Sequence, residues 1–109
     1  MLPVREQLRE TLVNVVAKRT LQEFWTLHPQ AKGPLTSWYH HAKAADWRTP
    51  QDVRNDFRTV DFVGDNRVIF DVGGNNYRLV ARISYPFKQV LVKFIGTHKE
   101  YDKIDPETV

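Results

Sequence analysis

His98 and Tyr101 stand three residues apart in the run Gly96-Thr97-His98-Lys99-Glu100-Tyr101-Asp102, so one short helical turn would put an imidazole and a phenol on the same side. Imidazole titrates near neutrality, and a phenol can exchange its proton where neighbouring cations lower its pKa. Upstream lie Arg67, Arg78, Arg82 and Lys93, and Lys99 falls within the turn itself. Together these groups could break an RNA phosphodiester from within. Attack of a ribose 2′-hydroxyl on its own 3′-phosphate needs a base for the hydroxyl proton, cations for the charge building on phosphorus, and an acid for the departing 5′-oxygen. That chemistry requires no metal. Taken alone, a His-x-x-Tyr pair is weak evidence, because such a pair also serves as a cap or a hydrogen-bonded anchor.

For these groups to converge, strands must carry the cations to one face and deliver the turn beside them. From Val60 onward the apolar residues recur with period 2, which predicts an antiparallel meander. Its strands are Val60 to Val63, Arg67 to Val72, Asn76 to Tyr85 and Gln89 to Ile95. Gly64-Asp65-Asn66 is a turn between the first two, and Gly73-Gly74-Asn75, residues that tolerate positive φ, signal a hairpin between the second and third. Alternation then sorts the side chains. Tyr77, Leu79, Ala81 and Ile83 face the core, and Arg78, Val80, Arg82 and Ser84 face away. Val68, Phe70 and Val72 point inward, leaving Arg67, Ile69 and Asp71 outward. On the last strand, Val90, Val92 and Phe94 oppose Leu91, Lys93 and Ile95. Arg67, Arg78, Arg82 and Lys93 would therefore line one side of a three-stranded surface. Val80, Leu91 and Ile95 on that side make it partly dry, where a guanidinium pairs with phosphate more strongly.

The first half reads as helices. Leu12 to Ala17 is β-branched and short, a first strand, and Val4 to Thr11 is a frayed helix or an upstream extension. Thr20 followed by Glu23 has the spacing of a capping box, which starts a helix there and lets Pro29 end it. A second helix starts at Pro34 with Leu35, Trp38, Tyr39, Ala42 and Ala45 on its apolar stripe. Thr49-Pro50-Gln51-Asp52 opens a third through Phe57. The fold class is α+β: N-terminal helices packed on a twisted, mainly antiparallel sheet of four or five strands. Trp25, Trp38 and Trp47 are spaced for packing between helices. His28, before Pro29, reads as a helix end, and His40 and His41 as surface residues. With Asp46 they lack the spacing of a metal site, so none is expected.

The chain has 109 residues, a net charge of +3 and no cysteine, which points to one domain over 1–109 and excludes disulfide scaffolds, thiolate zinc and a cysteine nucleophile. Between Asn76 and Lys99 there are five cations and no carboxylate, so the rest of the chain is net negative and the basic charge is local. Neither a membrane span nor a signal peptide is expected from the apolar runs, which makes the cytoplasm the default compartment.

Four stretches then carry a likeness. Lys18-Arg-Thr-Leu-Gln-Glu-Phe-Trp, Trp38-Tyr39 with Ala45-Asp46-Trp47, Arg67-Val-Ile-Phe-Asp-Val-Gly-Gly-Asn-Asn-Tyr-Arg-Leu, and Phe94-Ile-Gly-Thr-His-Lys-Glu-Tyr-Asp-Lys-Ile resemble the HigB toxins of type II toxin–antitoxin systems. The likeness runs from about Asn14 to Asp105, and residues 1–13 lie outside it. It implies a RelE-like fold and a metal-independent endoribonuclease, an mRNA interferase that often acts on the ribosome, with no cofactor. It also implies a HigA-type helix-turn-helix antitoxin as partner, in a complex that binds operator DNA. By the same resemblance, Arg78 matches the family's phosphate-binding arginine, and His98 and Tyr101 match its C-terminal catalytic pair. Lys93 joins them as a catalytic candidate, and Arg67, Arg82 and Lys99 as candidates for RNA and phosphate binding, on strand alternation and sequence position alone. Two other readings use the same basic face: an RNA- or ribosome-binding module without chemistry, and a surface that docks an acidic protein.

Overall fold

A computed structural model describes residues 14–16 and 18–109. The expectation for Val4 to Thr11 lies outside the described residues, as do Leu12, Val13 and Ala17 of the first strand.

Strand β1 (Asn14–Val16) leads into helix α1 (Lys18–Leu27), a 3-10 turn (Pro29–Ala31), helix α2 (Lys32–Ala44) and helix α3 (Pro50–Asp56). The meander follows as β2 (Asp61–Val63), β3 (Arg67–Val72), β4 (Tyr77–Ser84) and β5 (Gln89–Thr97), closed by helix α4 (His98–Tyr101). The sheet order is β1-β5-β4-β3-β2, with β1 parallel to β5 and every other pair antiparallel. This is the expected α+β architecture, with five strands.

Local chemistry explains most boundaries. Thr49 caps α3: its hydroxyl accepts from the Asp52 N–H, and the Asp52 carboxylate accepts from the Thr49 N–H at 3.1 Å. The sequence pattern had assigned a capping box to Thr20 as well. The structure starts α1 at Lys18 instead, so Thr20 lies inside the helix, and Glu23 pairs with Arg19 one turn back at 3.7 Å. Helix α2 begins two residues before Pro34, because the 3-10 turn feeds directly into it and the proline occupies its first turn. Gly73 and Gly74 take φ of +64° and +67° in the β3–β4 turn.

The core lies between the helices and one face of the sheet. Leu21, Leu35, Trp38, Trp47 and Val53 pack on Val68, Phe70, Leu79, Ala81, Ile83 and Val90. Trp25 is only partly covered. The opposite face is also dry at its centre, where Ile69 and Val80 are buried. Helix α4 and the segment after it cross that face: the Tyr101 ring lies 6.4 Å from that of Phe94, and the main-chain oxygen of Val109 accepts from Arg67 Nη2 at 2.7 Å.

One part of the expected alternation is overturned. Ala81 pairs with Val92 and Val80 with Phe94, so Lys93 occupies a bulge. Beyond it the parity of β5 reverses. Phe94 stands on the face of Arg78 and Val80, and Ile95, opposite Leu79, packs on the helix-side core.

Candidate active site

Arg78 lies at the hairpin end of β4, opposite Gly96 on β5. Two residues beyond Gly96, the His98 N–H donates to the Asn76 carbonyl at 3.2 Å, which fastens the start of α4 beside the start of β4. Thr97 and Glu100 lock that turn: the Thr97 hydroxyl accepts from the Glu100 N–H, and the Glu100 carboxylate accepts from the Thr97 N–H at 2.8 Å. His98 and Tyr101 are thus the first and last residues of α4. Gly96 permits this approach, since a Cβ there would sit 2.5 Å from Phe94 Cζ and 3.0 Å from a Glu100 carboxylate oxygen. The bulge at Lys93 turns Phe94 onto this face, and Gly96 leaves room for its ring.

The Arg78 guanidinium is held rather than free. Its Nε is ion-paired with Asp71 Oδ1 at 3.1 Å across β3 and β4, and its Nη2 donates to Asn75 Oδ1 at 2.7 Å. Nη1 makes only long bonds, 3.4 Å to the Asn75 carbonyl and 3.3 Å to that of Tyr77. The side chain is 12% exposed. Such a grip fixes the plane of the guanidinium and leaves its weaker contacts open to exchange for phosphate oxygens. His98 Nδ1 lies 3.3 Å from Asp102 Oδ2, one turn along, which orients the half-exposed imidazole.

Tyr101 departs from expectation. Burial pushes its phenol above the ordinary tyrosine pKa, Asp61 adds to the shift, Arg78 opposes it, and Asp102 and Asp71 reinforce it. The one cation that lowers it, Arg78, is outweighed. The phenol keeps its proton near neutrality, which suits a donor to oxygen and not a base.

The remaining candidates divide. Arg82 lies four residues along β4 from Arg78, roughly 13 Å away at strand rise, half exposed and paired with Asp65 Oδ1 at 3.0 Å. Beside it is a polar hollow of about 250 Å³ lined by Asn66, Arg82, Ser84, Gln89 and Leu91. Arg67 is buried at 6% exposure, with Nη1 on Asp65 Oδ2 at 2.8 Å and Nη2 on the Val109 oxygen. It holds the C-terminal segment against the sheet and presents no free edge to a ligand. Lys93 and Lys99 are exposed, and neither forms an ion pair among the described residues. The structure therefore sets Arg78, His98 and Tyr101 at one end of the sheet, with the Arg78 charge acting on the Tyr101 phenol, and pairs Arg67 with Arg82 farther along the strands.

A family model described as "HigB_toxin, RelE-like toxic component of a toxin-antitoxin system" matches residues 31–104. The chain belongs to the HigB toxin family. It is 35% identical over 94 residues to an mRNA interferase HigB of Escherichia coli O6:H1, covering 84% of this chain and 91% of that protein. It is 25% identical over 92 residues to the mRNA interferase toxin HigB of Escherichia coli K12, covering 83% and 88%, and likewise to an mRNA interferase HigB of Shigella flexneri. The HigB-matching stretch contains every candidate side chain named above.

In this HigB family member the sequence pattern had not singled out Asp71, Asn75 or Asp102 as parts of the site. Two of them carried a signal. Asp71 already fell on the outward side of its strand beside the strand of Arg78, and Asp102 lies at i+4 from His98 in a segment read as helical. Asn75 carried none, because only the folded hairpin aims its amide at the guanidinium.

Proposed function

We propose that this toxin is a metal-independent endoribonuclease that cuts mRNA by attack of a 2′-hydroxyl on the adjacent phosphodiester. The observation that supports this most is that Arg78, His98 and Tyr101 lie at one end of the sheet, where the His98 N–H meets the Asn76 carbonyl and the Arg78 charge acts on the Tyr101 phenol. The names of its relatives, mRNA interferases, point the same way.

In this reading Arg78 pairs with the non-bridging oxygens of the scissile phosphate and carries the charge that grows on them. His98 takes the proton of the 2′-hydroxyl through Nε2. The 2′-oxygen bonds to phosphorus, the bond to the 5′-oxygen breaks, and Tyr101 supplies the proton that the leaving oxygen needs. The products are a 2′,3′-cyclic phosphate and a free 5′-hydroxyl. The phenolate is reprotonated from the imidazolium or from water, which restores the site. Lys93 and Lys99 add positive charge beside the path of the strand, and Arg82 holds a phosphate farther along.

The cognate system fits the same frame. The substrate is mRNA on the ribosome in the cytoplasm, a HigA-type helix-turn-helix antitoxin neutralises the toxin, and their complex binds operator DNA. No helix of the described residues is long and apolar enough to cross a membrane.

The test is cleavage of a defined mRNA, with and without ribosomes, by the wild type and by Arg78→Ala and His98→Ala. Each variant should lose about 10²–10⁴-fold in rate, with a melting temperature close to that of the wild type. Unchanged cleavage by both would remove the assignment. A chain that binds RNA tightly and never cuts it would support a binding module in its place.

A further inference from the structure

Strand β2 runs beside β3 only along Arg67, Val68 and Ile69, so the outer edge of β3 from Phe70 to Val72 has no strand neighbour among the described residues. A cleft of about 240 Å³ opens at that edge. Helix α2 contributes Ser37, Trp38 and His41, Phe57 comes from the end of α3, and Asp71 and Gly73 come from β3 and its turn. The His41 and Phe57 rings lie 4.9 Å apart, tilted by 52°. Trp38 is 3% exposed, and its indole N–H has no hydrogen-bond partner among the described residues. Asp71 belongs to both places, lining the cleft and holding the Arg78 guanidinium by its ion pair.

We propose that this cleft receives one nucleobase of the RNA strand whose phosphate is held at Arg78, and that it favours bases carrying an exocyclic amino group over uracil. The inference deepens the nuclease reading and rests on it. A carboxylate on the wall repels phosphate, so the backbone stays with the guanidinium and only a base enters. That carboxylate and the Ser37 hydroxyl accept from an amino group, as carboxylates do from the amine of cytosine. The buried Trp38 indole forms part of the cleft wall, so a base seated there packs against it and shifts its N–H signal. The His41 and Phe57 rings offer a face for stacking, the usual way an unstacked RNA base is held. Gly73 keeps the cleft open, because a side chain there would lie within 3.1 Å of the Tyr77 ring and 3.5 Å of Pro34. Phosphate and base are thus held on two sides of one residue, and the cleft reads sequence where Arg78 does not.

The test uses the full chain with His98→Ala, which stops turnover. Adenosine, guanosine, cytidine and uridine 3′-monophosphates, and inorganic phosphate, are titrated while NMR follows the Trp38 indole N–H, the His41 ring and the Arg78 Nε–H. The amino-bearing nucleotides should move all three signals, uridine monophosphate should bind at least several-fold more weakly, and phosphate should move Arg78 alone. Adding Ser37→Ala or His41→Ala, both at exposed positions, should weaken the amino-bearing nucleotides about tenfold and leave phosphate binding unchanged. Nucleotides that shift Arg78 but neither Trp38 nor His41, or that bind equally whatever the base, overturn the proposal. The nuclease reading fails on different evidence, namely full cleavage by Arg78→Ala and His98→Ala.

Discussion

Asp71 and Arg78 face each other across β3 and β4 and form an ion pair at 3.1 Å, with the arginine side chain almost covered. An arginine held in one plane loses little freedom when it meets a phosphate, which is why a half-buried carboxylate partner helps a guanidinium that must act repeatedly. The pair also lowers the net charge of the site, so phosphate must displace the long Nη1 contacts and leave the Nε contact intact.

Asp71→Asn tests that division. With the ion pair gone the guanidinium is freer and more positive. An abasic RNA strand should bind as well or better, and the cleavage rate of mRNA should fall by about 10–100-fold, the size of one charge-assisted contact. Binding by fluorescence anisotropy and single-turnover cleavage separate the two effects. A variant that cuts at the wild-type rate would leave Asp71 with no positioning role.

Gly96→Ala places a methyl group 2.5 Å from Phe94 Cζ, in the strand that launches α4. Overpacking of this kind costs about 1–3 kcal/mol, read as a lower urea midpoint. It should also displace His98 and Tyr101 and depress cleavage. Adding Phe94→Leu should recover most of the stability, since it removes the clashing ring edge. If the double variant is as unstable as the single one, the clash is not with Phe94.

Tyr101 should titrate late. Its raised pKa means that the neutral phenol is the form the fold favours. The stability that comes with it is complete below the pKa of an unfolded tyrosine, near 10, and is lost as pH rises through the higher folded value. The difference in phenolate absorbance between the wild type and Tyr101→Phe should therefore appear above pH 10. Appearance at or below that point would return Tyr101 to the cation-lowered state expected from sequence. Tyr101→Phe should cost about 10²-fold or more in cleavage as loss of an acid.

Asp65 links the acid stability of the protein to its C-terminal segment. Its bond to Arg67, aided by the charge of Arg82, lowers its carboxyl below 3.8. A carboxyl depressed in the folded state stabilises above its unfolded pKa, and that contribution disappears as pH falls through the folded value. The wild type should exceed Asp65→Asn in urea midpoint at pH 7, and the gap should close as pH falls below the ordinary aspartate range. A gap that is constant from pH 7 to pH 2 would mean that the pair does not contribute.

Much of the architecture was legible in the residues themselves. Strand β3 has the bounds that its alternation implies, and Gly73-Gly74 turn where two positive φ values are needed. Thr49 and Asp52 cap α3 as their spacing suggests. Thr20 shows the limit of such signals, because its pattern is the same and the helix starts before it. A cap is used only if the chain enters the helix at that residue, and here the helix has already begun at Lys18.

Sequence alone determined that a basic meander ends in a turn bearing His98 and Tyr101, because alternation and helical spacing are local properties of the backbone. It also separated Arg78 and Arg82 from the core. Only the tertiary structure decided which of these groups meet. The bulge at Lys93 depends on how two strands align, and it moved Phe94 onto the site face. The buried state of Arg67 depends on a segment some forty residues away. The protonated Tyr101 depends on what covers it and on carboxylates from β2 and β3. Strand register, burial and long-range charge are sums over residues distant in the chain, and no local pattern contains them.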